Sequence, residues 1–224
     1  KSLSLRNDRK VNDFDTDSEE FSIYNSLLSN TINQDINALN AVVGYDLNKT
    51  KFRFFFNAHL DFNANDFQSI FNNENINFKR NFVFPNYETR FTYNFSSSKS
   101  LELYNQSNFT TPTMTALNPF TDISNPLVTT QGNPDLKSTW KNTSSIYFVN
   151  RNLPKNITYS AKLKFDYTDN NISDFSFYDD TGRQFRTYAN ISGNKNLSWD
   201  ARFSKTYKWN KNQLRISPTF FSSY

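Results

Sequence analysis

Three aspartates at alternate positions, Asp13, Asp15 and Asp17, with Glu19 and Glu20 close behind, form the densest set of hard oxygen donors in the chain. That spacing opens a calcium loop. Such a loop also needs a glycine at its midpoint and a bidentate glutamate at its close, and those places hold Ser18 and Tyr24. The run reads as a solvated acidic turn, and no metal is expected there. His59 is the only histidine, and it alternates with Asn57 and Asp61, a solvated setting rather than a catalytic one. There is no His-Glu-x-x-His, no Gly-x-Ser-x-Gly and no glycine-rich phosphate cradle. No catalytic residue and no cofactor is therefore expected, and the chain is not expected to be an enzyme. Without cysteine it forms neither a disulfide nor a thiolate metal site. A net charge of +4 on scattered Lys and Arg makes no basic patch, which sets nucleic acid aside as a partner.

What the residues do form is ribbons. From Ile157 to Thr168 every odd position is apolar or aromatic and every even one polar. Strand side chains point to alternate faces, so this segment has one greasy and one wet face. It is about twice the usual ~5–6 residues of a soluble strand. It matches the ~9–11 tilted residues that cross a bilayer. Tyr159 and Tyr167 stand roughly 27 Å apart along it, at ~3.4 Å per residue. Tilted by ~40°, this becomes about 21 Å of height, close to the ~25 Å apolar band between the aromatic girdles of outer-membrane barrels.

The alternation recurs. Phe52, Phe54, Phe56, Ala58, Leu60 and Phe62 oppose Arg53, Asn57, His59, Asp61 and Asn63, with Phe55 breaking the polar face. Tyr87, Phe91, Tyr93 and Phe95 oppose Glu88, Arg90, Thr92 and Asn94; Leu197, Trp199, Ala201, Phe203 and Tyr207 oppose Ser198, Asp200, Arg202, Ser204 and Thr206. A shorter version runs from Ala41 to Leu47, with Val42 as the exception. Strands are predicted at 39–47, 51–63, 82–95, 99–110, 138–150, 156–178, 184–207 and 213–224, with part of another in the first 30 residues. The same sorting explains how 24 Phe and 12 Tyr coexist with a mean hydropathy of −0.74: the rings gather on one face. No stretch approaches the ~20 apolar residues of a transmembrane helix. The 34 asparagines resemble a low-complexity polar tract, but regular alternation argues against disorder.

Connections alternate too. Short polar turns at 48–50, 96–98, 151–156 and 208–212 are interleaved with longer connections at about 64–81 and 111–137 and a tighter one near 179–182. Short turns at one end and long loops at the other are the periplasmic and extracellular ends of bacterial outer-membrane barrels.

The longest connection carries a motif: Pro112, then Leu117-Asn118-Pro119-Phe120, then Gly132-Asn133-Pro134, then Leu136-Lys137. It resembles the loop of TonB-dependent receptor-like outer-membrane barrels of the Bacteroidota type. Asp13-Phe14-Asp15, the stretch from Asn25 to Asn30, and Asn190 are similar to features of the same group. Thr111 stands where that family has Arg, and Ser138-Thr139 replaces Pro-Glu. The resemblance implies a barrel of about 22 strands with an N-terminal plug, energised by TonB for uptake of a scarce solute. On that reading residues 1–224 are an all-β, antiparallel, open segment of about eight or nine strands in meander order, without the plug. The chain opens with neither an initiator Met nor a signal peptide, so an envelope location implies a longer precursor.

The expected setting is the bacterial outer membrane. Phe56, Phe91, Tyr159, Leu163, Phe165 and Trp199 should meet outer-membrane lipid, while Arg90, Lys162, Lys164 and Asp200 line the lumen. Partners would be a plug and TonB, supplied by other parts of the full-length protein, and a small solute from the siderophore, glycan or peptide classes. Asn118, Phe120, Gln131 and Asn133, on the long loop, are the expected solute contacts, since amides both donate and accept; the alternative is that this segment only folds the loop over the rim. The competing reading of the whole chain is a soluble or surface-exposed β-sandwich that binds glycans. A small closed barrel with enzymatic activity is a third.

Overall fold

A computed structural model describes residues 2–26, 29–71, 74–125 and 127–224. Its main sheet is an antiparallel meander. Across it run β1 (Ser2–Arg9), β4 (Asn30–Asn48), β5 (Phe52–Phe71), β6 (Glu74–Ser96), β7 (Lys99–Thr110), β10 (Thr139–Asn152), β11 (Ile157–Asp169), β14 (Asn194–Trp209) and β15 (Asn212–Ile216). β16 (Thr219–Ser223) continues β15 along β14 in the same register after Ser217 and Pro218. Proline lacks a backbone donor and is tolerated here because this is an edge strand. Among the described residues the sheet is not closed: β1 and β15–β16 each keep one unpaired edge. Among the described residues the other sheets have only four and two strands, too small to face the main sheet as in a sandwich, so the glycan-binding sandwich is set aside.

Nearest-neighbour pairing follows from the turns. Those at 49–51, 97–98, 153–156 and 210–211 are two to four residues long. Asn156 and Asn210 reach φ of 50°, a left-handed conformation that asparagine tolerates better than other side chains. At the opposite end two of the connections are long. Residues 10–29 hold a hairpin of β2 (Asn12–Asp15) and β3 (Glu20–Tyr24), and residues 111–138 hold α1 (Met114–Leu117), β8 (Thr121–Asn125) and β9 (Val128–Gln131).

Two expectations need correction. Residues 64–81 are not a loop: β5 and β6 stay in register from Phe52↔Tyr93 out to Phe71↔Glu74, and residues 72–73 lie outside the described residues. The polar residues there read as a loop, but the polarity has only changed faces. Nor do 156–178 and 184–207 run unbroken. The ladder stops at Thr168↔Asn194 and resumes at Asn171↔Ile191, between β12 (Asn171–Tyr178) and β13 (Gln184–Ile191). Asn170 (φ 51°) and Gly193 (φ 83°) take left-handed conformations at the break, which a continuous strand does not accommodate. Beyond it β13 runs parallel beside β9, giving a small sheet in the order β12-β13-β9-β8.

The change of face is legible in the register. On one face of β4, β5 and β6, Leu39, Phe62 and Val83 form a row across the strands, all exposed. The next row on that face is Asn37, Ala64 and Asn81. Past this line the opposite face becomes the buried one, with Ile32, Gln34, Asn65, Phe67 and Ser69 all enclosed. Gln34 Nε2 donates to Asn65 Oδ1 at 3.2 Å, so the amides buried there are paired.

Candidate functional site

The enclosed face at the loop end is covered by the 111–138 connection. Pro112 is buried ahead of α1, and the Thr113 hydroxyl caps the helix by accepting from Ala116 N at 3.2 Å. Ala116, Leu117 and Leu136 close a small apolar core with Phe67 of β5, against which Met114, Ile172 and Tyr188 pack. The chain then returns through Gly132, where Asn133 N donates to Ala116 O at 2.7 Å. Arg80, from the outer part of β6, donates to the carbonyls of Pro134 and Leu136.

Asn190 acts as a bracket. Its Oδ1 accepts from Lys137 N at 2.7 Å, and its Nδ2 donates to Lys137 O at 3.0 Å and to Asn170 O at 2.8 Å. One side chain thus ties the end of the long connection to the bend before β12. Asn133 Nδ2 adds a bond to Tyr188 O at 3.0 Å. The 111–137 segment therefore lies at the same end as 64–81 and 179–182, away from the short turns, as strand parity required.

Between this cap and the inner face of β1 and β4 is a cleft of about 210 Å³. Asn7, Arg9 and Ile32 line one side; Asn118, Phe120 and Thr130 line the other. The same face, followed toward the short turns, is a polar wall. Arg53 pairs with Asp46 at 2.6 Å, Arg90 with Glu88 at 3.1 Å, Lys164 with Asp166 at 2.6 Å and Arg202 with Asp200 at 3.4 Å. Each pair is partly or fully solvated and adds little to stability, so its main effect is a hydrophilic lining. Phe55, Tyr104 and Tyr147 also lie on this side by strand parity, and Arg90 covers the Tyr104 ring at 5.4 Å.

The sequence profile of the outer membrane protein beta-barrel family matches residues 1–224. The chain belongs to that family. No curated protein matches it. Membership makes the protein an outer-membrane one and gives the two faces their solvents. On the exposed apolar face, Tyr45, Leu103, Ile146, Leu163, Trp199 and Phe203 are between 41% and 55% exposed, which a water-facing sheet would not sustain over so many strands.

Phe56, Phe91, Tyr159, Leu163, Phe165 and Trp199 all fall on this one face by register, through Phe54↔Phe91, Leu163↔Trp199 and Phe165↔Leu197. Arg90, Lys162, Lys164 and Asp200 fall on the other. The expected solute contacts divide. Asn118 and Phe120 border the cleft, Phe120 mostly buried. Asn118 Oδ1 accepts from Ser69 Oγ and Phe120 N, Gln131 Nε2 donates to Pro119 O, and Asn133 is used as above. These amides hold the cap together. The alternation from Ser2 to Arg6 signals a strand, but nothing in the sequence marks Asn7 and Arg9 as cleft residues. In the stretch from Asn25 to Asn30, Leu27 and Leu28 lie outside the described residues.

Proposed function

We propose that this barrel belongs to a TonB-dependent, receptor-like importer, with the cleft under the 111–138 cap as the solute's first stop. The observation that carries this reading is the cap itself. Leu117, Asn118, Gly132, Asn133 and Leu136, the residues of the resemblance to such receptors, build one tethered structure over a polar-lined wall. A cap bordered by Arg9, Asn7 and Asn118 suits a solute rich in oxygen acceptors. The unpaired edges of β1 and β15–β16 call for further strands to close the wall, and a plug and TonB would come from other parts of the full-length protein. Capture at the mouth, TonB-driven rearrangement of the plug and passage along the paired-charge wall follow in that order.

Deleting 113–130 in the full-length protein tests the reading. Normal surface expression with lost uptake of the limiting solute supports it. Lost expression assigns the segment to assembly, and unchanged uptake removes the cleft from the solute's path.

A further inference from the structure

On β7 and β10 the outward face departs from its own pattern. In register order one row reads Tyr87, Ser107, Asn142, Tyr167, and the next reads Thr89, Asn105, Ser144, Phe165. A block of polar side chains thus lies on the lipid side between the rings of β6 and β11, toward the loop end of the band, with Asn105, Asn142 and Ser144 half-exposed and Ser107 buried among them.

These groups are organised. Asn105 Nδ2 donates to Ser144 Oγ at 2.7 Å, to Asn142 Oδ1 at 3.1 Å and to the Thr143 carbonyl at 3.4 Å. A backbone carbonyl only accepts, so the amide is oriented with its oxygen away from it. Trp140 Nε1 donates to Ser107 Oγ at 2.6 Å, and Asn142 Nδ2 to Tyr87 Oη at 3.4 Å. Asn105 Oδ1 and the Thr89 hydroxyl have no partner among the described residues, and the Tyr87 hydroxyl proton has no acceptor there. Tyr87 and Asn142 stand at the girdle level of Tyr167, and Thr89 and Asn105 lie one row deeper, where an unsatisfied polar atom is costly, so these two point to a partner in the membrane. Directly below opens an apolar groove of about 250 Å³, lined by Leu103, Ile146, Leu163, Phe165 and Leu197 with Ser144 at its edge.

We infer that this cluster and groove bind one acyl chain of an outer-leaflet lipid of the lipopolysaccharide class. The chain fills the groove, and its hydroxylated, amide-linked head end meets Asn105, Thr89 and Tyr87. The donor pattern selects the class. Asn105 Oδ1 needs a donor, which an amide N–H or a chain hydroxyl supplies. The glycerol esters of a phospholipid only accept. The cluster carries no cation, so it does not read phosphate directly. Lys195, beside Tyr167 on β14 and exposed, lies two strand spacings from Asn142, roughly 10 Å, where a headgroup phosphate would stand. The long loops at this end are extracellular in such barrels, which places the site in the outer leaflet.

The test uses the full-length protein in nanodiscs of phosphatidylethanolamine with and without lipid A, read by native mass spectrometry after delipidation. The expected result is one lipid A retained by the parent. Retention falls at least tenfold when Asn105→Leu and Asn142→Leu are combined, and is unchanged by Asn150→Leu on the same face toward the short turns. Should the double variant fail to insert, Thr89→Val and the groove-filling Ser144→Phe must show the same loss. Equal retention by parent and variants overturns the inference. So does equally tight phosphatidylethanolamine, or a dimer of the parent that the variants abolish.

Discussion

Gly132 lies against the backbone of Asn118 so closely that no side chain fits between them. A Cβ at Gly132 would stand 2.8 Å from Asn118 N and 2.9 Å from Ala116 O, closer than real contacts of this kind allow. With the Asn118 carbonyl oxygen, which lies nearer still, all three obstacles are backbone, held by the turn of helix that Thr113 caps. Gly132→Ala should loosen the cap at a cost of ~1–3 kcal/mol, the usual range for overpacking. Protease added to intact cells should then cleave within 111–138 while the barrel keeps its heat-modifiable migration. An uncleaved variant would show that the loop gives way more easily than this geometry implies.

The adjacent pair Leu163 and Lys164 tests which face meets lipid. Leu163→Arg places a charge in the apolar band at ~2–4 kcal/mol near the midplane, whereas Lys164→Ala alters only the hydrophilic wall. The first should reduce insertion into vesicles and the second should not. Equal tolerance would reverse the assignment.

Removing the Asn190 bracket leaves Lys137 N and the carbonyls of Lys137 and Asn170 to water or new partners, at the ~0.5–1.5 kcal/mol net of an ordinary hydrogen bond each. Asn190→Ala should raise hydrogen exchange across β12 and β13 without changing exchange in β10, β11 or β14. Uniform protection in the variant would mean the packing of Ile172 and Tyr188 suffices.

The tip between β12 and β13 should respond to acid. The Asp179 carboxylate accepts from the Thr181 hydroxyl at 2.6 Å and from Arg183 N at 2.9 Å, and these bonds, the hydroxyl's first, hold its pKa below the usual aspartate value. A depressed folded-state pKa stabilises the turn above the ordinary carboxylate range and ceases to do so as pH falls through the lowered value. Exchange of the Thr181 and Arg183 amides should therefore rise only under strongly acidic conditions. In Asp179→Asn that acid dependence should vanish.

The chain's own order of residues determined the period of two, the strands between the short turns and the row of Leu39, Phe62 and Val83, the end at which the 111–137 connection falls and the nearest-neighbour pairing of the main sheet. Each of these depends on contacts a few residues apart or on a short turn. Ile157 to Thr168, for instance, is a two-faced strand wherever it lies. Asn190 was marked by resemblance alone, and its three bonds became visible only with Lys137 and Asn170 beside it.

Which face is buried is a different kind of fact. The residues at 64–81 read as a loop because their outward positions turn polar, yet Phe67 and Ser69 are sealed on the other side by Leu117, Leu136 and Asn118, about fifty or more positions along the chain. Alternation groups side chains into two sets; it carries no sign. The sign comes from what stands opposite each set: lipid as far as the row of Leu39, Phe62 and Val83, and beyond it water outside and the cap within. The parallel pairing of β13 with β9 and the polar block on β7 and β10 likewise exist only once distant strands are side by side, because each is a relation between segments that no local pattern encodes.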